Sequence, residues 1–200
     1  MTKRSDYPEM SEEALVEASR QGDVEAFEEL VARHRDKIYA RAYSMMRNED
    51  QAMEMSQAAW IKGWQRLVQF SGNSSFATWL TRIAINLCLD ELRKQKRNRA
   101  ESIDALSERS GGVDWFLPTY EVNPTERLER SELRQRIDRA LGQLSVEHRT
   151  VLILHAFEEL EYKEIATRMK CSIGTVMSRL FYARRKIAVL LNGLKLEEYR

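Results

Sequence analysis

Tyr162-Lys-Glu-Ile-Ala-Thr-Arg-Met169, Lys170-Cys-Ser172 and Ile173-Gly-Thr-Val-Met-Ser-Arg-Leu-Phe-Tyr-Ala-Arg-Arg-Lys186 read as a short helix, a turn and a longer basic helix. Ile165, Ala166 and Met169 recur at helical spacing and can pack on Val176 and Leu180. The small side chain of Ala166 permits the close crossing that a helix-turn-helix requires. Ser172 is placed to cap the second helix, whose first N–H groups can hold a phosphate. Thr175, Ser178 and Arg179 are expected to face outward near the helix start, where a recognition helix meets base edges. Arg184, Arg185 and Lys186 lie farther along and suit backbone phosphates. The competing reading is a solvated basic helix in an ordinary bundle.

Charge distribution favours the first reading. The chain of 200 residues has a net charge of +1, but residues 163–187 carry 7 basic groups against 1 acidic. Residues 1–30 carry 9 acidic groups against 3 basic. An acidic head and a basic segment near the tail imply a polyanionic partner for that segment. The 43% hydrophobic content is enough for a packed core, and 8 Gly with 3 Pro are too few for a turn-rich β protein. No apolar run approaches the roughly 18 residues needed to span a bilayer, so membrane insertion is not expected. The opening residues carry no apolar signal core, which predicts a cytoplasmic chain. Cys88 and Cys171 lack CxxC or Cys–His spacing and read as reduced thiols, and His34, His148 and His155 are scattered. No metal site and no cofactor is expected.

Upstream, no Pro falls between Pro8 and Pro118, and four helical stretches fit. Ser11 is the N-cap of a short helix ending before Gly22. Asp23 caps the next, with Phe27, Leu30, Val31, Ile38, Ala42 and Met45 at helical spacing. Asn48 with Gln51 resembles a capping box and opens a helix expected to carry Met53, Trp60, Ile61, Trp64 and Leu67 on one side. A break at Phe70-Ser-Gly-Asn-Ser74 precedes a helix that Ser74 or Ser75 starts. Trp79, Leu80, Ile83, Ala84 and Leu87 line it, and it ends in Arg93-Lys-Gln-Lys-Arg-Asn-Arg99. Residues 100–122, with Gly111-Gly112 and Pro118, read as a flexible linker. Asn123-Pro-Thr-Glu126 is a helix start. Helices are then predicted over 124–141, 146–157, 162–169 and 173–191. The fold class is all-α, with two small helical domains at 10–99 and 123–192.

The segment from Phe70 to Arg93 combines aromatics, a polar loop, a helix and a basic end. Aromatics can stack on unpaired bases while cations follow the backbone. Phe76 and Trp79 can equally be core residues. Asn86 interrupts an apolar stretch and is either a buried hydrogen-bonder or a base reader.

These two segments, in this order, resemble the extracytoplasmic-function (ECF) sigma factors of bacterial RNA polymerase, in the sigma-70 family. The N-terminal likeness runs through Phe27-Glu-Glu-Leu30, Asn48-Glu-Asp-Gln-Ala52, Ser56-Gln57, Trp60, Ser74 to Asn86 and Leu92-Arg93, and is similar to sigma region 2. The C-terminal likeness spans Leu144 to Leu190, including Glu164-Ile-Ala166 and Gly174-Thr-Val-Met-Ser-Arg-Leu180, and is similar to region 4. The resemblance implies a subunit that binds core RNA polymerase and directs promoter-specific initiation. Asp50, Glu54 and Gln57 match the face that binds the β′ clamp, and region 4 meets the β flap. Phe70, Ser74, Ser75, Phe76, Asn86 and Arg93 match the site that captures and melts the −10 element. Ser172, Gly174, Thr175, Ser178, Arg179 and Arg184 match the −35 reader. Trp115 and Phe116 in the linker would enter the polymerase cleft, and an anti-sigma factor is implied as inhibitor. No catalysis is expected of the chain itself.

In the second domain four residues depart from the family pattern, and in the first Glu54-Met-Ser-Gln-Ala-Ala-Trp60 is a tolerable variant of it. Gly is usual where Lys170 stands, and a left-handed residue other than Gly costs about 1 kcal/mol. Basic residues are common where Met177, Tyr182 and His155 stand, so fewer phosphate contacts are expected. The rival to the sigma reading is a helix-turn-helix regulator that binds duplex DNA without polymerase. It leaves the Trp-rich first domain without a role.

Overall fold

A computed structural model of the chain describes residues 7–101 and 135–192. The linker expected over 100–122, its Trp115 and Phe116, and the helix start at Asn123–Glu126 fall almost wholly outside these residues. The chain divides into two compact units, residues 1–108 and 109–200. Among the described residues all regular structure is helical.

The first unit contains α1 (Glu12–Arg20), α2 (Val24–Met46), α3 (Glu49–Arg66) and α4 (Phe76–Glu101), with single 3-10 turns at Tyr7–Glu9 and Leu67–Gln69. Local chemistry sets the boundaries. Ser11 Oγ accepts the Ala14 N–H at 3.2 Å, and Asp23 Oδ1 accepts the Ala26 N–H at 3.1 Å. Asn48 Oδ1 accepts the Gln51 N–H at 2.9 Å, and Ser75 Oγ the Thr78 N–H at 3.2 Å. Each cap satisfies a donor that the first helical turn leaves unpaired. The end of α1 is a Schellman turn: the Asp23 and Gly22 N–H groups bond the carbonyls of Ala18 and Ser19. Gly22 takes φ +91° there, a conformation that costs only Gly nothing.

α2, α3 and α4 pack on one another and α1 lies against α2. Leu15, Leu30, Ile38, Phe76, Leu80 and Ile85 are fully buried, each worth about 1.5–3 kcal/mol of apolar transfer. The face of α3 expected to carry Met53 and Ile61 is not its core face. Those two are 49% and 60% exposed, whereas Ala52, Met55, Ser56, Ala59 and Gly63 are buried. Small residues at helical spacing let α3 approach closely, and the indoles of Trp60 and Trp64 flank the seam. The approach is tightest at Gly63, where a Cβ would lie 2.7 Å from Leu80 Cδ1.

The second unit contains α5 (residues 135–142), α6 (Val146–Ala156), α7 (Tyr162–Met169) and α8 (Ile173–Asn192). Ser145 Oγ accepts the His148 N–H at 3.4 Å to cap α6. Val151, Ile153, Leu154, Ile165, Val176, Leu180 and Ala183 form its buried interior, and α8 packs on both α6 and α7. α8 is thus held from two sides while its opposite face stays open.

Candidate nucleic-acid interfaces

The helix-turn-helix forms as its sequence predicts. α7 ends in a Schellman turn, with the Cys171 N–H on Ala166 O at 3.0 Å and the Lys170 N–H on Thr167 O at 3.3 Å. Lys170 holds φ 50°, ψ 50°, so a non-Gly residue does occupy the left-handed position. Ser172 Oγ accepts the Thr175 N–H at 3.1 Å and caps α8, and lies 2.8 Å from Thr175 Oγ1. Ala166 is buried at the crossing, as expected. The start of α7 carries a signal the sequence reading missed: the Glu161 N–H bonds Glu164 Oε2 at 3.0 Å. The Glu-x-x-Glu spacing was the available clue, since Glu at the third helical position can reach back to the cap.

Along α8, Ser172, Gly174 and Ser178 are exposed, while Thr175 and Arg179 are half-buried at the edge of the face. Ser178 Oγ donates to the Thr175 carbonyl at 3.0 Å. Met177, Phe181 and Tyr182 are exposed beside them and give this face an apolar strip. The cations farther along also make contacts within their own unit. Arg184 Nη2 lies 3.3 Å from His155 Nδ1, and Lys186 Nζ donates to the Gln143 carbonyl at 2.6 Å. Both tie α8 back to neighbouring segments of its own unit. Lys163, Thr167, Lys170, Cys171 and Ser172 surround a shallow depression beside the α8 N-terminus.

In the first unit, the segment between α3 and α4 is a polar surface loop: Ser71, Gly72, Asn73 and Ser75 are exposed and Ser74 is half-buried. Phe70 and Phe76 at its ends are not stacking platforms. They are 7% and 1% exposed and sit in a ring cluster with Phe27, Trp60, Trp64 and Trp79. The Phe27–Trp64 centroids are 4.9 Å apart and the Phe70–Trp79 centroids 5.2 Å. Such pairs add about 0.5–1.5 kcal/mol beyond burial, so these rings are worth more inside than out. Asn86 is exposed, which removes its reading as a buried hydrogen-bonder. It shares one face of α4 with Arg82, Asp90, Arg93 and Arg97, at spacings of four, four, three and four. Arg93 is half-buried and pairs with Asp90.

Asp50, Glu54 and Gln57 are exposed on α3, together with Met53 and Ile61. The five make one patch of acids, an amide and two apolar side chains on the side away from the core. Among the described residues no cluster of three or more His, Cys, Asp or Glu could hold a metal, and no helix is long and apolar enough to cross a membrane.

An all-α chain with a basic helix-turn-helix in one unit, and a polar loop running into a cationic helix face in the other, is a DNA-binding protein of two helical modules. Residues 30–98 match the family Sigma-70 region 2, and residues 134–187 match Sigma-70, region 4. The chain is 36% identical to the RNA polymerase sigma-H factor of Pseudomonas aeruginosa over 92% of its own length and 95% of the relative's. It is 34% identical to the ECF RNA polymerase sigma-E factor of Escherichia coli K12, over 90% of this chain and 93% of that one. A sigma factor RpoE from Bartonella quintana, solved in complex with the anti-sigma factor NepR, is similar at a TM-score of 0.54 and 25% identity. That match covers 83% of this chain and 96% of that one. The chain belongs to the ECF sigma factors of the sigma-70 family. It binds core RNA polymerase and directs promoter-specific transcription initiation. Sigma factors are initiation factors rather than enzymes. Family membership across both units disfavours a regulator that works without polymerase.

Proposed function

We propose a division of labour between the two units. Residues 10–99 bind the polymerase and hold the melted −10 element, and residues 123–192 read the −35 element, with 100–122 joining them. The exposed α3 patch of Asp50, Glu54 and Gln57 docks on the β′ clamp, and Met53 and Ile61 supply the apolar contact that a polar rim needs. Ser74, Ser75, Asn86 and Arg93 meet the displaced strand. Phe70 and Phe76 shape the loop from beneath. Ser172, Gly174, Thr175, Ser178 and Arg179 meet the −35 duplex at the start of α8, with Arg184 toward the backbone. The second unit docks on the β flap.

One observation carries this reading: Asn86 is exposed on a helix whose other central residues build the core, and it shares its face with three arginines, Arg82, Arg93 and Arg97, against one carboxylate, Asp90. An amide in such a stripe can donate and accept at once, which matches a base edge. Likeness to a sigma factor solved with an anti-sigma factor supports a protein inhibitor for this chain too, and membership of the sigma family supports the cytoplasm as the chain's place of action. Transcription with purified core polymerase and a randomised promoter library tests the whole reading. The expected outcome is enrichment of two motifs separated by a fixed spacer, and only when core enzyme is present. Binding of duplex DNA at equal affinity and specificity without polymerase would overturn it.

A further inference from the structure

The loop between α3 and α4 is fastened at both ends to a single helix. At the C-terminal end of α1, Arg20 donates from Nη2 to the Phe70 carbonyl and from Nε to the Leu67 carbonyl at 3.4 Å. Its guanidinium carbon lies 5.8 Å from the Phe70 ring centroid. At the other end of α1, Glu12 Oε1 accepts the Phe76 N–H at 3.0 Å. Its second oxygen, Oε2, meets His34 Nε2 at 2.7 Å, which fixes the carboxylate between α2 and α4. The Phe76 N–H is one of the donors the first turn of α4 cannot pair internally, and a carboxylate is favoured at that positive helix end.

The geometry has a simple mechanical meaning. Glu12 and Arg20 are eight residues apart on one helix, about 12 Å along its axis. α1 is itself anchored through buried Leu15 and Val16 and closed by the turn at Gly22. A rigid rod therefore sets the distance between the two ends of a polar loop that is exposed but for half-buried Ser74, and in which Gly72 takes φ +76°. Both contacts come from before residue 30, where the match to sigma-70 region 2 begins.

We propose that Glu12 and Arg20 are positioning residues that hold the 70–76 loop in the shape that reads −10 DNA. The proposal rests on the reading that this loop meets that DNA. The buried rings of Phe70 and Phe76 hold the loop's ends from beneath, and α1 adds fixed partners for the backbone groups at both ends. Fixing the loop before binding avoids ordering it at the moment a base is captured.

The test uses the full chain with core polymerase and three variants: Arg20→Met, which keeps the stem, Glu12→Ala, and Glu12→Gln, which keeps an acceptor for the Phe76 N–H. Amide hydrogen exchange over residues 70–77 of the free chain is compared with selectivity for the −10 sequence on pre-melted promoters. Arg20→Met and Glu12→Ala are expected to speed exchange and to lower selectivity about five- to tenfold, on the scale of one ordinary hydrogen bond. Glu12→Gln is expected to keep most of the selectivity, and all three to keep core-polymerase affinity. A merely structural role would instead lower the melting temperature and weaken all templates equally, overturning the proposal, as would unchanged exchange. Ser74→Ala, within the loop, separates the two ideas. If it lowers selectivity while Arg20→Met and Glu12→Ala do not, positioning by α1 is wrong and the loop reading stands. If it also leaves selectivity unchanged, the loop reading is wrong and the positioning proposal falls with it.

Discussion

Lys170 shows how a single backbone angle weighs on a binding motif. Its left-handed φ of 50° strains an L side chain by about 1–2 kcal/mol. Glycine would remove that strain but would loosen the unfolded chain by about 0.5–1 kcal/mol. Lys170→Gly is therefore expected to raise stability by up to about 1 kcal/mol in urea unfolding, and Lys170→Val, β-branched, to lower it by more. A gain on Lys170→Val would contradict the angle. The two cysteines differ in the same local way. Burial pushes the Cys88 thiol up to about 12 from an ordinary 9.0, while Cys171 is half-buried in the turn. At pH 8 a thiol-specific disulfide reagent is expected to titrate Cys171 alone in the native chain and both thiols after unfolding. The folded state keeps the Cys88 proton where the unfolded state releases it. Stability from this group is thus full below pH 9 and lost as pH rises from 9 toward about 12. Residues whose role follows from near neighbours were legible in the sequence. Ser11, Asp23, Asn48 and Ser172 all cap as their types predict, and hydrogen bonds from the Ala26 N–H and then from the Tyr7 hydroxyl hold the Asp23 carboxyl below its usual range. Phe76 was not decided there, because an aromatic next to a polar loop reads alike as platform or core. Only the positions of Phe27, Trp60 and Phe70 settle it.

At the scale of an element, α3 was the least legible. Its large apolar residues suggested one face and its small ones form another. Period alone does not tell a core of Ala and Gly from a solvent face bearing Met53 and Ile61, because the seam depends on how near the partner helix comes. Gly63 is the measure of that distance. Gly63→Ala gains about 1 kcal/mol of helix propensity, but it drives a methyl toward fully buried Leu80 Cδ1, and overpacking costs about 1–3 kcal/mol. The single substitution is expected to be destabilising by up to about 2 kcal/mol. Paired with Leu80→Val, the penalty should shrink. The coupling energy is expected to be favourable by about 1 kcal/mol in a double-mutant cycle followed by urea unfolding. Strict additivity would place the α3–α4 contact elsewhere. α4 shows the opposite case. Most of its core residues follow from spacing, and structure was needed to choose Ser75 over Ser74 as its cap, to place Phe76 in the core and to decide on which side Asn86 stands.

Over the whole molecule, a net charge of +1 conceals two units with separate tasks, and each unit closes its own core. On the proposed division of labour the units bind one nucleic acid through one chain, so each raises the effective concentration of the other, and a defect in either weakens the assembly without abolishing it. The step at which a variant fails therefore says more than the size of its loss. Asn86 is exposed, so Asn86→Ala is expected to leave the melting temperature nearly unchanged, within about 0.5 kcal/mol of stability. Its loss should fall on open-complex formation, after duplex contacts are made. A pre-melted −10 bubble supplies the unstacking, which costs a few kcal/mol, but not the contact to the base. Asn86→Ala should therefore recover only partly on the bubble. Arg179 lies near the start of α8, half-buried at the edge of its open face. Arg179→Ala is expected to cost about 1–3 kcal/mol and relax −35 specificity if the guanidinium reads a base, or to reduce the salt slope by about 1 if it holds a phosphate. The bubble gives this variant no relief, because the duplex upstream is untouched. Measuring transcription from duplex and bubble promoters, at two salt concentrations and with melting temperatures alongside, separates the two residues by step. Equal rescue of both variants on the bubble would place Arg179 at melting rather than at the −35 element. Unchanged transcription in both would move the DNA contacts off these two faces altogether.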